Sequence, residues 1–231
     1  IACMPKYINL FGNINKRLED IQLILKKLNA DIVLLQEVFS NYSRHILTTF
    51  FKNNNYNILL SPNTKLYLNG GLLIATKYKI INNDYYIYKN YFGEDSLSYK
   101  GILYAQININ DKIIHIFNTH TNNIKPLFNI FSNSFKLFKK KLKEFINYVN
   151  YIKKKFDKSN YNVNQNNISY ILAGDLNLSN TSKLYKNFIK KLQKKYNVCV
   201  NKKKIITDNQ NNIQIDYIIN CYNKNIPYIP H

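Results

Sequence analysis

Short apolar runs closed by a polar group recur along this chain, and they set its architecture. Ile32-Val33-Leu34-Leu35 runs into Gln36-Glu37, Gly71 to Thr76 follows Asn69-Gly70, and Ser169 to Ala173 ends at Gly174-Asp175. Runs this short, bounded by Gly or turn residues, predict buried strands. Stretches of helical spacing lie between them. In Lys16 to Asn29, Leu18, Ile21, Ile24, Leu25 and Leu28 recur at three- and four-residue steps. Ser134 to Phe156 carries Phe135, Phe138, Leu142, Phe145, Val149 and Ile152 on one side and lysines on the other. Further helices are predicted near Tyr42 to Phe51 and Thr181 to Tyr196. Further strands are predicted at Tyr56 to Leu60, Ile102 to Ile109, Ile113 to Asn118 and Ile213 to Ile219. Ile109 to Ile113, through Asn110-Asp111, is a hairpin connection. Strands and helices alternate in both halves, which makes the class α/β with a layered core.

With 231 residues, 45% of them hydrophobic, the chain can fill one substantial core, and residues 1–231 are taken as a single domain. Residues 157–167 form an Asn-rich loop insertion. The chain has no initiator Met, opens inside an apolar segment and stops at Pro230-His231, so the expectation is an incomplete domain cut from a longer protein. No apolar run approaches the roughly 18 to 20 residues of a membrane-spanning helix. The net charge of +20 invites a polyanion or an anionic membrane. The charge is nearly all Lys, with Arg only at Arg17 and Arg44. Asn, Ile, Tyr and Phe are abundant too, so codon bias alone would produce much of it, and selection for an anionic partner is the alternative, compatible source. Cys3, Cys199 and Cys221 are odd in number and far apart, which points to free thiols.

Three polar groups sit where predicted strands end, the place where open α/β sheets gather ligand-binding residues. Glu37 follows the first run, and its carboxylate is a hard oxygen ligand suited to Mg²⁺. Asp175 and Asn177 are two apart and would share a face in extended backbone. His120 follows Ile113 to Asn118 and could stabilise phosphate charge or move a proton. Each has a plainer role when taken alone: a solvated Glu, a Gly-Asp-Leu-Asn turn, a structural His. His115, on the face of Ile113 and Phe117, is read as structural, and His45 as solvated.

Gln-Glu, Asn-Gly-Gly, Lys-Gly, Thr-His, Gly-Asp-Leu-Asn and Asp-Tyr follow one another in that order. This order resembles the endonuclease/exonuclease/phosphatase superfamily and, within it, the neutral sphingomyelinases. The likeness is strongest over Ala30 to Phe39, Asp95 to Gly101, Thr119-His120 and Leu172 to Asn177. It implies a four-layer α/β sandwich with two packed mixed sheets. It also implies that Glu37 binds the metal and that Asp175 and Asn177 position water and phosphate. His120 would stabilise the transition state, with Asp216 supporting the catalytic His. Asp95 and Lys100 match an Asp/Lys element of the sphingomyelinase branch. Two of the family's residues have no match. Its first-strand Asn would fall before Ile1, and no Ser-Asp-His is present; His231 is not assigned to that place.

Val38-Phe39 stands where abasic-site endonucleases of this fold carry a Lys, and Leu178-Ser179 stands where inositol polyphosphate phosphatases carry Tyr-Arg. The resemblance therefore implies a phospholipase C-type phosphodiesterase cleaving sphingomyelin, or a related choline phospholipid, with Mg²⁺ (or Mn²⁺) as cofactor. A membrane surface is the expected partner rather than nucleic acid, and the expected location is membrane-associated. Leu127, Phe128, Ile130 and Phe131 either dip into the bilayer or pack at the start of the following helix. The alternatives are a nuclease or inositol-phosphate phosphatase of the same fold, or an inactive membrane-binding domain.

Overall fold

The computed structural model describes residues 13–63, 69–89, 98–121, 139–152 apart from Lys141, 168–200 apart from Lys195, and 216–223, with the backbone alone for Asp216, Tyr222 and Asn223. In chain order the elements are α1 (Ile14–Leu28), β1 (Ile32–Leu35), α2 (Asn41–Asn53), β2 (Asn57–Leu60), β3 (Leu73–Thr76), β4 (Ile80–Ile87), β5 (Gly101–Ile109), β6 (Lys112–His120), α3 (helical residues 142–152), β7 (Ile168–Asp175), α4 (Lys183–Gln193), β8 (Tyr196–Val200) and β9 (Asp216–Asn223).

The strands form two sheets. One has the order β1-β3-β2, with both pairings antiparallel. The other has the order β4-β5-β6-β7-β9-β8; β6 and β7 are parallel and the remaining pairs antiparallel. Alternation along each strand divides the side chains between two faces, and three apolar clusters result. Leu73 and Ala75 of β3 join Leu18, Leu47 and Phe51 beneath α1 and α2. Leu72 and Ile74 instead meet Leu103, Ala105, Ile107 and Ile116, which fill the space between the sheets. Ile102, Tyr104, Phe117, Tyr170 and Leu172 face Phe145, Val149, Leu184 and Phe188 of α3 and α4. The three clusters are the three interfaces of a helix–sheet–sheet–helix sandwich.

Local chemistry sets the element ends. The Asn13 side chain accepts from Asn15 and Lys16 backbone N–H groups and starts α1, and Ser40 and Ser182 do the same for α2 and α4. Asn29 closes α1 in the left-handed region at φ 44°. Asn110 and Asp111 have φ 48° and 63°, the paired positive values of a two-residue hairpin turn.

Several expectations change. On α1, Leu18 is buried and Ile21 and Leu25 pack beside it, but Ile24 and Leu28 are exposed. The true stripe starts at Ile14 and leaves those two on its flank. β4 was unmarked by pattern, because Asn82-Asn83-Asp84 reads as a turn. Its pairing with β5, irregular between Ile80 and Asn82, holds it extended. Tyr196 leaves the predicted helix and opens β8 instead. Cys221 is a buried thiol and Cys199 a half-buried one. Cys3, Phe135, Phe138 and the insertion at 157–167 lie outside the described residues.

Candidate active site

β6 and β7 run side by side and stop together. Their register pairs Thr119 with Gly174 and His120 with Asp175, the last residue of each strand. Gly174, at φ 135°, allows this close approach, since an added Cβ would run into the Thr119 carbonyl oxygen. Counting in twos from Ile114 and Ile116 puts Asn118 and His120 on the face between the sheets.

His120 is buried at 2% exposure. Its Nε2 lies 3.6 Å from Asp175 Oδ2, a contact that becomes an ion pair when the imidazole is protonated. Lys100, also buried, brings Nζ to 3.3 Å from the same Nε2 and donates to the Thr121 carbonyl at 3.3 Å. One imidazole nitrogen thus faces both an ammonium and a carboxylate.

Asp175 and Asn177 meet by a route other than the strand pleat. β7 ends at Asp175, and Asn177 sits in the loop at φ 49°. A local turn brings the two together: Asn177 N–H donates to Asp175 Oδ1 at 2.7 Å. The Asn177 side-chain amide donates to the Thr121 carbonyl at 2.8 Å, and Thr121 N–H donates back to the Asp175 carbonyl at 2.9 Å. Thr121 therefore fastens the loops after β6 and β7 to each other.

The segment that carries Lys100 is held at three consecutive carbonyls. The Tyr85 hydroxyl donates to Tyr99 O, Tyr88 N–H donates to Lys100 O at 3.1 Å, and the Thr119 hydroxyl donates to Gly101 O at 2.8 Å. The Tyr88 hydroxyl bonds that of Thr119 at 2.7 Å, and burial raises the Tyr88 pKa well above the usual phenol value. β4 and β6 together thus fix the backbone beneath the lysine.

Glu37 belongs to the other sheet. It follows β1 with φ 62°, a strained value for a residue with a Cβ. A buried amide joins the two halves: Asn118 donates through Nδ2 to Leu35 O and Leu73 O, both at 3.0 Å, and accepts from Gln36 Nε2 at 2.7 Å. Among the described residues the half-buried Glu37 carboxylate has no hydrogen bond or ion pair, and no three His, Cys, Asp or Glu side chains gather as a cage. One uncommitted carboxylate fits Mg²⁺, which keeps several waters and takes few protein ligands.

The fold therefore gathers His120, Asp175, Asn177 and Lys100 at one end of the large sheet. Glu37 is held alongside by a hydrogen-bonded link. Asp216 opens β9 with its backbone in register with Asp175. Asp95 and the apolar segment Leu127 to Phe131 lie outside the described residues. His115 is buried, hydrogen-bonded to the Tyr104 hydroxyl at 2.8 Å and stacked on Tyr170; His45 is exposed. The roles of Gln36, Asn118, Thr121, Tyr85 and Tyr88 escaped sequence analysis. Gln36 was marked as the neighbour of Glu37 in the Gln-Glu motif, and Asn118 left a signal as a polar residue on the strand face of Ile114, Ile116 and His120.

Comparison with known proteins agrees with this fold. A sphingomyelinase of Dictyostelium discoideum is 30% identical over 106 residues, which is 39% of this chain and 23% of the relative. Sphingomyelinase C of Bacillus cereus is 31% identical over 107 residues, 40% of this chain and 32% of the relative. The matched stretch is thus less than a third of each relative's length. Among solved structures, a mutant of Staphylococcus aureus beta toxin with bound magnesium ions superposes with a TM-score of 0.71 at 23% identity, covering 94% of this chain and 79% of the toxin. The family described as Endonuclease/Exonuclease/phosphatase matches residues 8–218, and the chain belongs to that family.

Proposed function

We propose that this protein is a Mg²⁺-dependent phosphodiesterase of the phospholipase C type that works at a membrane surface on sphingomyelin or a related choline phospholipid. The observation that carries the reading is His120 Nε2 held between Lys100 Nζ at 3.3 Å and Asp175 Oδ2 at 3.6 Å in a buried strand-end site. The sphingomyelinases among its relatives point to the lipid.

In this scheme water attacks phosphorus, the bond from phosphorus to the ceramide oxygen breaks, and that oxygen takes a proton. The products are phosphocholine and ceramide. Asp175 orients the water. His120 and Lys100 donate to phosphoryl oxygens, where negative charge builds in the transition state. Asn177, fixed through Thr121, offers its side chain to the phosphate. Glu37 would hold Mg²⁺, which when bound polarises a non-bridging oxygen.

The test is release of phosphocholine from sphingomyelin vesicles with and without EDTA, with abasic-site duplex DNA in parallel. Release abolished by EDTA is expected. Cleavage of DNA without lipid release would make the protein a nuclease, and no turnover of either would sink the reading.

A further inference from the structure

The outer face of the large sheet carries a charge distribution that the chemistry at the strand ends does not use. Among the described residues, α3 with the helical residues 139–140 before it and α4 with its C-cap present eight exposed lysines: Lys139, Lys140 and Lys143 on the first, and Lys183, Lys186, Lys190, Lys191 and Lys194 on the second. Among the described residues none of the eight is in an ion pair. The one described acidic residue on these helices, Glu144, turns inward to accept from Lys89 N–H at 3.0 Å and the Tyr86 hydroxyl at 3.3 Å. On α1, by contrast, exposed Glu19 and Asp20 sit among the basic residues. Codon bias would raise the number of lysines anywhere on the chain; on this face they stand together, and the one described carboxylate is committed inward.

Between the two helices lies a groove of about 410 Å³, with Leu142, Ile146, Leu184 and Phe188 along its floor and Lys139, Lys190, Lys191 and Lys194 at its rim. An apolar floor under a ring of flexible ammonium groups suits an amphiphile with an anionic head. Lysine stems lie over apolar surface while their charges stay in the polar layer. A nucleic acid is a poorer occupant. The face has no arginine to fork onto phosphate, and its floor gives a phosphodiester backbone nothing to bond. α4 starts from the loop that leaves Asp175, while Lys190, Lys191 and Lys194 lie at its other end, which leads into β8.

From these features we infer that the α3–α4 face docks the protein on bilayers containing anionic phospholipid. This rests on the phospholipase reading and names a surface that would hold the protein at the membrane. The anionic lipid is the docking partner, separate from the substrate, and binding should weaken as salt screens the lysines.

Co-sedimentation with phosphatidylcholine vesicles, with and without phosphatidylserine, tests this. Wild type should prefer the anionic vesicles. Lys190→Glu/Lys191→Glu/Lys194→Glu changes only exposed side chains and should lower that affinity at least roughly 100-fold, the loss of three lysines at about fivefold each near a charged bilayer, before the repulsion of the three new carboxylates. Hydrolysis of a short-chain, water-soluble sphingomyelin should be unchanged in that variant. Lys16→Glu/Lys26→Glu/Lys27→Glu, the same charge change on α1, should keep most of the vesicle affinity. Equal losses in the two variants would mean that net charge acts and not this face. Undiminished binding by the α4 variant, or preference for duplex RNA over anionic vesicles, would also overturn the proposal. A wild type that binds vesicles but hydrolyses no lipid would refute the phospholipase reading and leave the docking face standing.

Discussion

Gln36 Nε2 donates to Asn118 Oδ1 at 2.7 Å, and this contact crosses from one sheet of the sandwich to the other. Asn118 also caps the carbonyls of Leu35 and Leu73. Replacing it with Ala strands two buried acceptors and one donor, and should cost about 3 kcal/mol. Asn118→Asp should be worse, because it aims an acceptor at two acceptors. Chemical denaturation checks both; a loss under about 1 kcal/mol would contradict the link.

Gly174 stands where any Cβ meets the Thr119 carbonyl oxygen. Gly174→Ala must push β7 from β6, at a cost on the order of 3 kcal/mol from clash and positive φ together. Activity should fall further than stability accounts for, since the displaced residue neighbours Asp175. Thermal melting and turnover of the folded fraction separate the two effects.

Removing His120 or Asp175 should abolish turnover and leave the fold in place. His120→Ala and Asp175→Ala are each expected to reduce kcat by at least about a thousandfold, with circular dichroism unchanged. Near-wild-type turnover in either would remove the residue from the mechanism.

The three-carbonyl clamp predicts coupling. Tyr85→Phe loses the bond to Tyr99 O and should lower kcat roughly tenfold with KM little changed, because Lys100 is misplaced and not removed. In a Lys100→Met background the same change should have little further effect. Equal effects in both backgrounds would show that Tyr85 acts on general stability.

Alkaline pH should unfold the protein in a defined window. Burial pushes the Cys221 thiol from 9.0 to about 12 and the Tyr185 hydroxyl from 10.0 to about 12. Both pKa values are raised in the fold, so their stabilising effect is complete below the unfolded values. It is lost as pH rises from about 9 toward 12. Denaturation midpoints measured across that range should fall, and fall less steeply in Cys221→Val. Iodoacetamide should reach half-buried Cys199 before Cys221.

Much of this molecule was legible in its sequence because apolar period and burial coincide. Ile32–Leu35 is a strand as predicted, and the stripe Leu142, Phe145, Val149, Ile152 is buried as predicted. β4 was illegible because its Asn-Asn-Asp center is extended only by pairing with β5, a contact that local sequence does not encode. His120, Asp175 and Asn177 could be picked out by their place at strand ends. The link at Asn118 and the clamp from Tyr85 and Tyr88 could not, since each depends on residues far apart in the chain meeting through tertiary packing.

The candidate site is divided: Glu37 rides on the three-stranded sheet, while His120, Asp175, Asn177 and Lys100 ride on the six-stranded one. The gap between them is set by Leu72, Ile74, Leu103, Ala105, Ile107 and Ile116, residues that touch no reacting atom. Ala105 and Ile116 thus act as shims, and a methyl gained or lost there alters the spacing between the sheet that Glu37 follows and the sheet that ends at His120. On the proposed function, selection on catalysis reaches into this greasy middle layer. Drift there would detune the proposed chemistry while the protein still folds.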